Sequence, residues 1–111
     1  MSYDYLASPY SHPDPAVREQ RFVAVCRAAG VLMKAGFHVF SPIAHSHSIE
    51  LHFEGGGVEG HDFWLNQDFA LLRHARRLLV LKLDGWDKSF GVKAEIEAAK
   101  AIGIPVEYVD P

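Results

Sequence analysis

Two rhythms of apolar positions alternate along the chain. Short apolar runs recur, and between them apolar residues return every three or four positions. The first rhythm is that of a buried strand, the second that of a helix with one covered face. Residues 3–7, 37–40, 78–83 and 105–109 read as strands. The run at 78–83 is the most apolar and predicts a central strand buried on both faces, whereas 105–109 predicts an edge strand. A first helix is predicted from Asp14, an N-cap followed by Pro15 at the position where a missing N–H costs nothing, to a terminating Gly36. Phe22, Val25, Cys26, Ala29, Leu32 and Met33 form its apolar stripe, which gives Cys26 a packing role. A second helix covers 61–75 through Leu65, Phe69 and Leu72, and a third covers 89–102 through Val92, Ile96 and Ala99, stopped by Gly103. Residues 8–13, the Ser41-Pro42 pair and residues 84–88 read as turns. Residues 43–60, rich in His and Gly, read as a long irregular loop with Gly55-Gly56-Gly57 at a flexible tip, and loops of that length usually carry function.

Strands alternating with helices imply right-handed crossovers and a parallel sheet. The expected fold is α/β: a small three-layer sandwich with a flavodoxin-like sheet of four to five strands and helices on both faces, residues 1–111 forming one domain. Ligands on such sheets bind beyond the strand C-termini, where the chain order reverses. That places a site on residues 8–12, the Ser41 loop and residues 84–95.

Composition narrows the classes. A net charge of −3 gives no basic footprint for nucleic acid, and no apolar run approaches a membrane span. Met1-Ser2-Tyr3-Asp4 lacks the basic start of a leader, so a cytoplasmic protein is expected. A single cysteine excludes an internal disulfide and a cysteine-cluster metal site. A chain of 111 residues buries a modest core, which favours a homodimer or higher homo-oligomer, with Trp64 or Phe53 as contact residues.

Several residues at the expected ligand edge could carry chemistry. Glu95 borders the stripe of the last helix, near an N-terminus that favours an anion; an ionised, half-buried carboxylate there is a nucleophile or simply a helix-stabilising charge. Ser89 is the N-cap of that helix and Gly91 leaves its backbone open, an arrangement that suits a phosphate or only a cap. Ser8 and Ser11 can donate to a phosphate or sugar, or are turn residues beside prolines. Asp68 shares a helix face with Trp64 and is either a sugar- or base-facing acid or a solvated charge. His45 and His47 alternate as metal ligands would in an extended segment, but no recognised ligand set completes them, so neither a metal nor any other cofactor is expected.

Tyr5-Leu6-Ala7-Ser8-Pro9, then Asn66-Gln67-Asp68 followed by Phe69, Leu71 and Leu72, then Ser89-Phe90-Gly91-Val92-Lys93-Ala94-Glu95 with Ala98-Ala99 and Gly103-Ile104-Pro105-Val106, occur in that order over nearly the whole chain. Their order and spacing resemble the nucleoside 2-deoxyribosyltransferase superfamily, which includes the 2′-deoxynucleoside 5′-phosphate N-hydrolases and small bacterial relatives. The resemblance implies that Glu95 is the nucleophile, Tyr5 the tyrosine that orients it, Asp68 the aspartate near base or sugar, and Ser8 part of the 5′ pocket. Ser89 stands where the transferases tend to carry an aspartate and the nucleotide hydrolases a serine, which favours a 5′-monophosphate, with Lys88 and Lys93 as local cations. The family usually has a segment beyond its last strand that enters a neighbouring subunit's site. Here residues 43–60 are expected to stand in for it, with His45 or His47 as donors.

The implied activity is cleavage or transfer of an N-glycosidic bond in a deoxynucleoside or its 5′-monophosphate, with that small molecule as the partner. Asp68 or a loop histidine is the expected acid. A non-catalytic nucleotide- or nucleotide-sugar-binding module and a metal-dependent hydrolase built on the His loop are the rival expectations.

Overall fold

A computed structural model describes residues 2–54 and 60–111. The Gly55-Gly56-Gly57 tip lies outside the described residues. The strands are β1 (Asp4–Ala7), β2 (Val39–Phe40), β3 (Arg77–Leu81) and β4 (Val106–Val109). The helices are α1 (Pro15–Lys34), α2 (Pro42–Glu50), α3 (His61–Leu72) and α4 (Phe90–Ala101), with a 3-10 turn at Trp86–Lys88. All strand pairs are parallel, in the spatial order β2-β1-β3-β4. This is the flavodoxin-like α/β sandwich expected from the alternation of elements, with β4 at one edge.

The alternation of side chains across the sheet decides what each face covers. Tyr5, Ala7, Leu78 and Val80 point to one face and pack with Leu72 of α3 and Val92 and Ala99 of α4. Leu6, Leu79 and Leu81 point to the other and pack with Val25 and Ala29 of α1. After Arg77, β3 is apolar because both its faces are covered, and Leu78 to Leu81 are all buried. Chain order reverses between β1 and β3, so the C-terminal ends of these two strands open the crevice in which such sheets bind ligands.

The caps of α1 follow the sequence. Asp14 Oδ1 accepts from the Ala16 N–H at 2.9 Å, Pro15 opens the first turn, and Gly36 leaves the helix at φ 99°. Two residues of its predicted stripe do not pack: Cys26, rotated one position off the buried Val25–Ala29 line, and Met33, near the helix end, are exposed. Cys26 therefore has no core-packing role.

The predicted irregular stretch 43–60 begins instead with a helix. Ser41 Oγ accepts from the Ala44 N–H at 3.1 Å, and Pro42 occupies the first helical position of α2. The Ser-Pro pair that reads as a strand-closing turn is a helix start. The body of α2, with its two serines and two histidines, has weak intrinsic propensity, so the element depends on packing against α1 and β1.

At the opposite edge of the sheet from the crevice, Asp4 is buried at the start of β1. Arg77 Nε donates to its Oδ1 at 3.0 Å, and Arg76 Nη2 lies 3.3 Å from its Oδ2. Burial alone would raise this carboxyl, but the two guanidinium groups hold it below the usual aspartate range.

Candidate active site

A cavity of about 750 Å³ opens at the C-terminal ends of the strands. Residues from both layers of the sandwich line it. Glu95, Ser89 and Gly91 come from α4 and its cap, and Asp68, Trp64 and Leu65 from α3. Ser8, Tyr10, Ser11 and His12 come from the segment after β1, Arg18 and Glu19 from α1, and Ile43, Ser46, His47 and Glu50 from α2.

Glu95 is placed by two local features. Ser89 caps α4, its Oγ accepting from the Val92 N–H at 3.3 Å, and Val92 anchors the first turn in the core. Glu95 follows three residues later on the same face and is only 5% exposed. The Tyr5 hydroxyl, itself fully buried on β1, donates to Glu95 Oε2. Burial pushes the Glu95 carboxyl up to about 8; the Tyr5 hydrogen bond works against that shift, and the nearby Asp68 charge adds to it. Asp68 is itself pushed up by burial to about 6. The helix-end field that favours an ionised Glu95 in the sequence is thus outweighed by desolvation, and at neutral pH the free protein holds this carboxyl mainly protonated. Tyr5 is driven well above the usual phenol range by burial and by Glu95 and Asp68 beside it.

Ser8 lies 5% exposed at the end of β1, and its hydroxyl has no hydrogen-bond partner among the described residues. A buried hydroxyl without a partner costs about 1–3 kcal/mol, which a polar ligand group in the cavity would recover. Ser89 still has its own proton to donate, and the first N–H groups of α4 open beside it. Ser11 lines the cavity from an exposed position, and its carbonyl is taken by Arg21. Phe53 and Trp64 also border the cavity, stacked on one another at 5.5 Å and 3°. Both are half-buried rather than exposed and face the cavity.

The structure separates the two histidines. Positions two apart on a helix face different ways, so His45 turns outward beside Phe40 while His47 turns into the cavity. His47 and the cavity serines are brought together; His45 is not. Lys88 and Lys93 are exposed and line no part of the cavity, and Arg18 is the single lysine or arginine among the described lining residues. Sequence reasoning missed Tyr10, Arg18, Glu19 and Glu50. Tyr10 alone carried a legible signal, being an aromatic in a turn directly after the first strand.

The parallel sheet with a buried glutamate of α4 at its ligand edge fits a nucleoside 2-deoxyribosyltransferase-like protein, and a solved structure supports that class. The chain is similar to the solved structure of a 2-deoxyribosyltransferase from Bacillus psychrosaccharolyticus, a biocatalyst for the synthesis of antiviral and antitumoral nucleosides. The TM-score is 0.69 at 28% identity, over 99% of this chain and 73% of that one. More particularly, residues 3–110 match the family described as a domain of unknown function, DUF1937, and the chain belongs to that family. No curated protein matches it.

Proposed function

We propose that the protein cleaves or transfers the N-glycosidic bond of a deoxynucleoside or its 5′-monophosphate, with Glu95 as the nucleophile. The observation that carries this reading is a buried glutamate on the cavity wall, held by a buried tyrosine hydroxyl with a second carboxyl beside it. The structural likeness to a 2-deoxyribosyltransferase supports the substrate class.

In this reading Glu95 attacks the anomeric carbon through an oxocarbenium-like transition state and forms a glycosyl ester, as in retaining glycoside cleavage. A sugar with no 2′-hydroxyl reaches that state more readily, because no electron-withdrawing oxygen adjoins the cation. Tyr5 keeps the attacking oxygen in line. Asp68 faces the sugar from α3, and the Phe53–Trp64 pair offers a flat apolar surface to a base. Ser8, Ser89 and the N-terminus of α4 form the seat for the 5′ group. Water resolves the ester in a hydrolase, and a second base does so in a transferase.

The test uses the common deoxynucleosides and their 5′-monophosphates, each with and without a second free base, analysed by mass spectrometry. Released base or an exchanged nucleoside is expected, and Glu95→Gln should lower the rate on the order of 10³-fold or more. Binding by calorimetry without any turnover, retained in Glu95→Gln, would replace the enzyme with a binding module.

A further inference from the structure

One side chain joins two of the segments that carry the cavity. Arg21 lies on α1 and is not among the described lining residues. Its Nη1 donates to the Ser11 carbonyl at 3.0 Å, and its Nη2 donates to the Asp84 carbonyl at 3.4 Å. The first carbonyl belongs to the segment after β1, the second to the segment after β3. These strands are neighbours, and the crevice opens between their C-terminal ends. One planar guanidinium thus ties the two sides of the crevice together.

The surroundings are shaped for this fork. Gly85 follows Asp84 at φ 88°, and a Cβ there would stand 2.9 Å from Arg21 Nη2. The glycine therefore serves both the left-handed backbone and the space that the guanidinium occupies. Arg18, one turn earlier on α1, donates to the His12 carbonyl, so two arginines hold consecutive carbonyls of the segment after β1. Arg21 reaches across to the second segment as well.

What that second bond fixes follows from the chain beyond it. From Asp84 the backbone runs through Gly85 and the 3-10 turn Trp86–Lys88 directly into Ser89, the cap of α4. Tight bonds stiffen the run: the Trp86 N–H donates to the Leu83 carbonyl at 3.0 Å, and the Lys88 N–H to the Gly85 carbonyl at 3.1 Å. A tether at Asp84 is therefore felt at Ser89. Ser8, the other half of the 5′ seat, directly follows β1 and is placed by it. Glu95 is held independently, by Val92 in the core and by the Tyr5 hydroxyl.

We propose that Arg21 is a positioning residue for the 5′ seat. Its guanidinium sets the separation of the Ser8 and Ser89 donors, and through it the preference for a sugar that carries an oxygen at C5′. The proposal rests on the N-glycosidic reading above. Both partners are neutral carbonyls, so the fork rather than the charge is used, and an ammonium does not replace it.

The experiment has two arms, and the first needs no substrate. Arg21→Met removes both donors and keeps an apolar stem; Arg21→Lys keeps the charge and removes the fork. In both variants amide hydrogen exchange at Trp86, Lys88 and Ser89 should quicken about 10-fold, while Leu79 and Val80 keep their protection. The second arm compares the common deoxynucleosides and their 5′-monophosphates with the matching 2′,5′-dideoxynucleosides, which have no oxygen at C5′. For the substrates with a 5′ oxygen kcat/KM should fall about 10-fold, and for the dideoxynucleosides it should stay within about twofold. A dideoxynucleoside that the wild type does not cleave is read by its inhibition constant instead. Lost folded protein depresses every substrate alike, so the ratio between the two sets is the readout. Gly85→Ala drives a Cβ into the guanidinium and should lower the ratio equally, adding nothing further in Arg21→Met. Unchanged exchange, or an unchanged ratio, overturns the tether and leaves the Glu95 chemistry standing. A wild-type protein that cleaves no substrate of either set removes the underlying reading, and the 5′ seat with it.

Discussion

Glu95 sits between opposing influences whose balance sets the pH at which it can act. Burial and the Asp68 charge hold its proton on; the Tyr5 hydrogen bond is the one influence that draws it off. A nucleophile must be ionised, so kcat/KM should climb with pH toward about 8. Tyr5→Phe keeps the ring that packs in the core and deletes only the donor. The carboxyl then rises further, and the climbing limb of the pH–rate profile should move to higher pH, with a lower plateau from lost alignment. A limb that stays in place would assign the titration to another group. The carboxylate position was legible in the sequence, because Glu95 borders the stripe of Val92 and Ile96 near the start of a helix. Its protonation was not, since a helix-end field is a local property while burial and the Tyr5 hydrogen bond depend on residues brought in from elsewhere, Tyr5 from 90 residues away. The unpartnered Ser8 hydroxyl was equally hidden, because a partner's absence exists only once the chain is folded.

α2 shows what an element owes to its surroundings. Strand and helix order elsewhere follows from periodicity, because α1, α3 and α4 each carry an apolar stripe toward the sheet and β3 has two covered faces. α2 has no comparable stripe, and its sequence Pro-Ile-Ala-His-Ser-His-Ser-Ile-Glu competes poorly for helix on propensity alone. Its start was written in Ser41-Pro42, but the same pair also ends strands. The Ser41 cap therefore carries more weight here than in a helix of strong formers. Ser41→Ala should cost about 1 kcal/mol in urea denaturation, at the strength usual for a lost cap. Because α2 carries His47 into the cavity, the same variant should weaken ligand binding without touching any lining side chain. An unchanged denaturation midpoint would show that packing against α1 alone holds the helix.

At the scale of the whole molecule, buried carboxyls at opposite ends of the sheet pull stability in opposite directions with pH. Asp4, at the N-terminal end of β1, is held below its ordinary 3.8 by Arg77 and Arg76 against the cost of burial. Its contribution is present above 3.8 and is lost as pH falls through the lower folded value. Asp68 and Glu95, at the C-terminal end, titrate at about 6 and about 8 when folded, against 3.8 and 4.5 when not. Each holds its proton more tightly in the folded state. Their stabilising contribution is therefore complete below the unfolded values and is lost as pH rises through the folded ones. For the buried Glu95 that loss is on the order of a few kcal/mol. The fold should thus be most stable on the acid side of neutrality, between the Asp4 and Asp68 titrations, and should weaken toward alkaline pH. Glu95→Gln keeps an acceptor for the Tyr5 hydroxyl but has no charge to desolvate. It should match the wild type near pH 4.5 and become progressively more stable than it up to about pH 8. Asp4→Asn should instead flatten the acid limb and lower stability at neutral pH, since Arg76 loses its carboxylate partner and Arg77 keeps only Glu107. Urea denaturation across this range measures both limbs. A Glu95→Gln curve that runs parallel to the wild type would mean that the carboxyl is not desolvated in the fold. The site would then lack the strain in which its chemistry is stored, because the buried charge that destabilises the alkaline protein is the same charge a positively charged transition state would relieve.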